Sequence, residues 1–262
     1  ALATLGNLLG AENRLDEARS AYLRALDIRR RLATADPATY EPGLAAVLNN
    51  LGTLRRTQNR RAEALDVLNQ AKDIYTRLAA ATPARYEPLL AITLSNLGNL
   101  FSNDKRRDEA LAAYQRALEI QNRLAKANPT AYEPDLARTL NSLGALQSGM
   151  DRPAEALAAY ERSREIYARL ARTTPSYELY LASTLNNLGN LLREQNRLDE
   201  ALETLRQALA IQRPLATTSL IAYGPYLAMT LNNLGVLYKT QNRLAEAREA
   251  YQEALDIQRR LV

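Results

Sequence analysis

An all-α solenoid is the fold this sequence predicts, and three observations carry that reading. Gly recurs at positions 6, 52, 98, 144, 189 and 235 of the 262 residues, at steps of 46, 46, 46, 45 and 46. Around each Gly the same apolar frame returns six times: Leu four before, one before and two after, Ala twelve after, and Ile twenty-two after. Within a unit the apolar residues fall at helical rather than alternating spacing. A helix pair of this size cannot bury its apolar face alone, so successive pairs must stack. The expectation is a single domain over 1–262, with repeats at about 1–39, 40–85, 86–131, 132–176, 177–222 and 223–262.

The second unit shows how each element arises. Pro42 is suited to opening the first helix at its first position, where a missing N–H costs nothing. From Leu44 to Thr57, Leu44, Leu48, Leu51 and Gly52 then share one face. Asn59 ends it, because Asn tolerates the left-handed conformation at a helix end. The second helix is expected from about Arg61 to Ala80, with Ala64, Leu68, Ala71, Ile74 and Leu78 facing inward, and Thr82-Pro83 stops it. Gly and the Ala twelve residues on are both small, as two closely approaching helices require. Every copy also has Arg at plus eight and Glu at plus eleven, from Arg14 and Glu17 to Arg243 and Glu246. Glu in a first turn complements the helix dipole, and the Arg before it is placed to pair with it. Tyr-Glu-Pro opens three units (Tyr40, Tyr86, Tyr132), with the Tyr read as a staple at the helix start.

The order Leu-Gly, then Ala, Tyr and Ala at plus twelve, sixteen and nineteen (Leu5, Gly6, Ala18, Tyr22 and Ala25 in the first copy) resembles the tetratricopeptide repeat. The resemblance covers essentially the whole chain. The period is longer than that family's usual one and is similar to the kinesin light chain type. Its Leu-Asn-Asn-Leu phrase stands here at Leu48–Leu51, Leu185–Leu188 and Leu231–Leu234. The resemblance implies a right-handed superhelix of six helix-turn-helix repeats, and a scaffold that binds other proteins.

Composition removes most alternatives. Without Cys, His or Trp there is no disulfide, thiolate nucleophile, imidazole base or Cys/His zinc site. No phosphate-binding GxxxxGK[ST] loop occurs, and the acids lie at repeat spacing on helix surfaces. The reading is non-enzymatic, with no cofactor and no metal. The +5 charge comes from 30 Arg and 4 Lys interspersed with 29 acids, without a basic block. Nucleic-acid binding is therefore the least favoured role. No apolar run approaches the length of a membrane span, no signal-like start appears, and the Arg, Ala and Leu richness suits a GC-rich bacterial genome. A cytoplasmic location is the expectation.

On a helical wheel, positions six, three and two before Gly and one and five after it lie opposite the Leu face, with plus four at the margin. Amides dominate there: Asn49, Asn141, Asn186 and Asn232 at minus three, Asn50, Asn96, Asn187 and Asn233 at minus two, Asn99 and Asn190 at plus one. Asn in a helix costs roughly 0.5 kcal/mol relative to Ala, so the eight at minus three and minus two cost about 4 kcal/mol and some interaction must offset them. An amide offers donors and an acceptor to an extended peptide backbone; in the resembled family this face lines the concave groove. The competing reading is that the amides bond neighbouring repeats. Arg56, Arg138, Arg193 and Lys239 fall on or beside the same face against one acid, Glu194, which favours acidic ligands weakly.

Two irregularities complete the reading. The fifth unit has lost a residue at Tyr177-Glu178-Leu179, and Pro214 falls inside its second helix. Pro214 is expected to kink or end that helix, with a bend between about 210 and 225. Neither end carries a polar cap, so the chain is read as a piece excised from a longer protein. The alternative is self-association through its ends as a structural module.

Overall fold

The computed structural model describes residues 1–261 and contains twelve α-helices among them. They are α1 (Leu2–Ala11), α2 (Leu15–Ala35), α3 (Pro37–Thr57), α4 (Arg61–Ala81), α5 (Pro83–Asn103), α6 (Arg107–Ala127), α7 (Pro129–Gly149), α8 (Pro153–Ala171), α9 (Glu178–Glu194), α10 (Leu198–Thr218), α11 (Leu220–Thr240) and α12 (Leu244–Arg259). A 3-10 turn, Pro175–Tyr177, precedes α9. Each odd-numbered helix and the next even-numbered one form a helix-turn-helix repeat, and there are six. The chain divides into two compact units, Ala1–Tyr132 and Glu133–Val262.

Within the first unit, Leu48, Leu51 and Leu54 of α3 pack with Tyr22 and Leu26 of α2 and Val67 and Ala71 of α4. A further layer joins Tyr75 and Ala79 to Tyr86, Leu90 and Leu94. In the second unit one continuous cluster runs from Ala156 and Tyr160 through Leu188, Leu191, Leu205 and Leu231 to Ile257. In repeats two to six all three Leu of the frame are buried, as their spacing predicts.

The first helices begin earlier than Pro42 implies. α3, α5 and α7 open at Pro37, Pro83 and Pro129, five residues before the Tyr-Glu-Pro proline. Asp36 caps α3 by accepting from the Thr39 N–H at 3.2 Å, and Asn128 accepts from the Ala131 N–H at 3.2 Å. Pro42, Pro88, Pro134 and Pro225 therefore lie inside helices, each at the sixth residue. So near the N-terminus a proline removes one intrahelical bond and leaves the remaining turns intact. Tyr40, Tyr86 and Tyr132 are the fourth residues of their helices, not staples ahead of them. The Glu of this motif has a partner that spacing did not suggest. Glu41 accepts from Arg77 at 2.6 Å, Glu87 from Arg123 at 2.5 Å, and Glu133 from Arg169 at 2.5 Å. Each pair ties the start of a first helix to the end of the second helix of its own repeat.

Pro214 does not end α10. The helix runs on to Thr218 and reaches 21 residues, the length of α4 and α6, and only Ser219 separates it from α11. Pro214 and Ala210, whose carbonyl it cannot bond, are both exposed, so the ring sits on the solvent side and the unbonded carbonyl is not buried. The lost residue is absorbed elsewhere, by the 3-10 turn and a shortened, 17-residue α9. There Tyr167, Tyr177 and Tyr180 stack, with ring centroids 5.5 Å apart for Tyr167 and Tyr180.

All six turns inside repeats use one left-handed residue: Asn13, Asn59, Lys105, Asp151, Asn196 and Asn242, with φ between 57° and 59°. Lys is the poorest choice for that conformation, having no short polar side chain to bond the backbone. Lys105→Asn should stabilise the chain by about 0.5–1 kcal/mol, read as a higher urea midpoint. The Arg and Glu flanking these turns pair in five repeats: Arg14–Glu17, Arg60–Glu63, Arg106–Glu109, Arg197–Glu200 and Arg243–Glu246, at 2.5–2.7 Å.

Candidate functional site

The first helices carry the amide row, and the structure brings most of its members together in pairs. In each pair the Asn two before Gly donates its Nδ2 proton to an Asn Oδ1 on the preceding first helix. Asn96 donates to Asn49 at 3.0 Å, Asn187 to Asn141 at 3.2 Å, and Asn233 to Asn186 at 2.8 Å. In the first junction Asn50 donates to Asn7 at 3.0 Å. In both units the donor comes from the later repeat of the pair. The bonds offset the helix-propensity cost of the Asn residues and register one first helix on the next.

Burial sorts the row further. Asn186 is 1% exposed and serves the stack alone. Asn49, Asn50, Asn96, Asn141, Asn187 and Asn233 are half-buried, each reaching solvent on one side. Asn96, Asn187 and Asn233 each spend one N–H on a neighbour and keep a second N–H and the carbonyl oxygen, whereas the Asn50 oxygen also accepts from Asn49 at 3.5 Å. Asn190 and Asn232, also half-buried, make no side-chain hydrogen bond among the described residues. Asn99 accepts from the Tyr114 hydroxyl at 2.7 Å, as Asn7 accepts from Tyr22 at 2.6 Å. Asn7 was missed in the sequence. Its signal is that the first and third copies combine Asn at plus one with Tyr at plus sixteen, so a second helix reaches into the row.

The cations are less free than their positions imply. Arg138 pairs with Asp135 at 2.5 Å, and Arg193 approaches Glu194 at 3.6 Å. Arg56 and Lys239 form no ion pair among the described residues and are the remaining positive groups beside the row. Chemically, the face offers amide donors and acceptors along successive repeats and little net charge. Among the described residues no cluster of metal-ligating side chains occurs. No described helix is long and apolar enough to cross a membrane.

Six helix pairs of one repeat pattern, with amides on the same face of their first helices, define a repeat scaffold. Tetratricopeptide repeat models match residues 1–77 and 89–169, and again 181–213 and 227–262. The chain belongs to the tetratricopeptide repeat family, whose members generally serve as protein-protein interaction modules. No enzyme family is among these matches, and no curated protein matches by sequence. Among solved structures it is similar to BtubC (BKLC) from P. vanneervenii, at 25% identity and a TM-score of 0.73, over 94% of this chain and 92% of that one. It also shares its fold with a Podospora anserina kinesin light chain-like protein of nearly identical TPR-like repeats. That likeness has 20% identity and a TM-score of 0.59, over 80% of this chain and 93% of the other.

Proposed function

We propose that the protein is a non-catalytic scaffold that binds an extended peptide segment of a partner along the face of its first helices. The observation that carries the reading is the amide row. Half-buried Asn side chains in both units keep hydrogen-bonding capacity after registering the repeats, and a peptide backbone has the complementary groups. Asn50, Asn96, Asn187 and Asn233 hold the stack and face the ligand, while Asn99, Asn190 and Asn232 face the ligand beside them. Arg56 and Lys239 draw acidic residues of the segment, with Arg138 and Arg193 tempered by their own carboxylate neighbours.

The discriminating variant is Asn190→Ala/Asn232→Ala, because neither amide holds a neighbouring repeat. Peptides selected by display on the parent chain should bind this variant more weakly. Each lost hydrogen bond is worth roughly 0.5–1.5 kcal/mol, so each substitution should cost about 2- to 12-fold in affinity. The urea midpoint should not fall, and should rise slightly because Ala is the better helix former. Equal binding by parent and variant would assign the amide row to the stack alone. Asn96→Ala, by contrast, should lower both affinity and stability, the latter by about 1 kcal/mol.

A further inference from the structure

The second helices carry a different kind of surface. In residues 133–262 a cleft of about 690 Å³ runs between α8 and α10. Leu181 and Leu185 of α9 and Ile211 of α10 form its apolar floor, and α8 with the residue after it supplies a rim of Arg164, Arg169 and Arg172 against a single acid, Glu165. Arg169 is engaged by Glu133. Arg164 and Arg172 form no ion pair among the described residues.

The residues twenty-four and eighteen after Gly, on successive second helices, face each other across such clefts. Between α10 and α12 they are Arg213 and Glu253, joined by two hydrogen bonds at 2.5 and 2.8 Å. Between α2 and α4 they are Arg30 and Gln70, bonded at 3.0 Å. Between α8 and α10 they are Ala168 and Gln207. Alanine offers nothing to bond, and Gln207 turns along its own helix to Glu203 at 3.0 Å. No side-chain bond between this pair closes the cleft. The neighbouring cleft between α10 and α12 is larger, about 1020 Å³, but the Arg213–Glu253 pair spans it and its rim mixes Arg248 and Arg260 with Glu249 and Asp256. That rim has no preference of sign.

We propose that the α8–α10 cleft docks an amphipathic helix of a partner protein, with an apolar stripe inward and Asp or Glu along the flank that meets α8. An extended segment would turn backbone N–H and C=O groups toward a floor of Leu and Ile that cannot bond them. A helix satisfies its own backbone and lays its side chains between two parallel helices by the packing this fold already uses. The free guanidiniums of Arg164 and Arg172 select the acidic flank. The site is independent of the amide row.

The test is a display library of helix-forming 18-residue peptides, randomised along one face and selected on the whole chain. Counter-selection uses Ala168→Arg/Gln207→Glu, which installs the pair that spans the α10–α12 cleft. Selected peptides should show an apolar stripe with acids on one flank and bind the counter-selection variant at least about tenfold more weakly. Arg164→Ala/Arg172→Ala, a milder change on the rim, should weaken them about 3- to 10-fold at low salt and less at high salt. Asn190→Ala/Asn232→Ala should bind them as the parent does. Circular dichroism establishes that each variant is folded. The proposal is overturned if nothing is enriched, if the parent and the Ala168→Arg/Gln207→Glu variant bind equally, if the peptides lack an acidic flank, or if the Asn variant loses them.

Discussion

Gly98→Val should destabilise the first unit by about 3 kcal/mol, read as a lower urea midpoint. A Cβ at Gly98 would stand 2.6 Å from Cδ1 and Cε1 of Tyr114 and 3.0 Å from Cζ, well inside van der Waals contact. The ring has nowhere to go. Tyr114 is 1% exposed and its hydroxyl is held by Asn99 at 2.7 Å. Relief would require moving α5 off α6 or breaking the hydroxyl bond, and a branched side chain adds helix-propensity cost. The repeat Gly is thus a steric requirement, since its φ is ordinary. Gly10→Ala is the contrast. Nothing lies within 4 Å of its Cβ position, so that substitution should stabilise by about 0.5–1 kcal/mol through helix propensity. Equal effects of the two changes would remove the packing argument.

Gln212→Leu should raise stability by about 1–3 kcal/mol, an unusual direction for a core substitution. Gln212 is 0% exposed, and neither its Nε2 nor its Oε1 has a hydrogen-bond partner. A buried amide without partners bears its full desolvation cost, and Leu fills similar space without it. The same position of the repeat holds Tyr75 and Tyr167, and the longer Tyr167 side chain reaches the Pro134 carbonyl at 3.3 Å. Gln121 is a second buried Gln at this position, 2% exposed with both amide atoms unpartnered, and Gln121→Leu should behave alike, whereas the Gln258 of the last repeat is exposed. A fall in the thermal midpoint of both variants would mean that the two amides are satisfied in solution.

The capping pairs set an acid dependence of small size. Hydrogen bonds from Arg14, Arg106, Arg197 and Arg243 hold Glu17, Glu109, Glu200 and Glu246 below the usual carboxylate range. A carboxyl whose folded pKa is depressed contributes stability above its unfolded pKa and loses it as pH falls through the folded one. The midpoint should therefore decline below the normal Glu range. High salt should reduce the decline, because Glu17, Glu109 and Glu200 are exposed and Glu246 is half-exposed.

The period, the helix-pair repeat, the Leu frame and the Asn that ends the first helix of the second repeat were legible without coordinates, because each depends on residues close in the chain. Leu48, Leu51 and Leu54 must share a face of any helix that contains them, and Asn59 signals a left-handed end wherever it lies. The Arg-Glu caps, three residues apart, were legible for the same reason. What only the tertiary structure decided is which side chain meets which across helices. Gly makes room for the Tyr or Leu sixteen residues on, rather than for the Ala twelve on that its size suggested, because only the packed pair aims that ring at the Gly. Glu41 meets Arg77 because α3 begins a turn before Pro42, which places the motif inside the helix beside the end of α4. The amides of Asn96 and Asn49 are 47 positions apart, and their bond exists only because stacking brings two first helices side by side. Local periodicity determines the elements and the order in which they stack. The pairing of polar groups depends on interhelical distance and direction, which spacing along a chain does not contain.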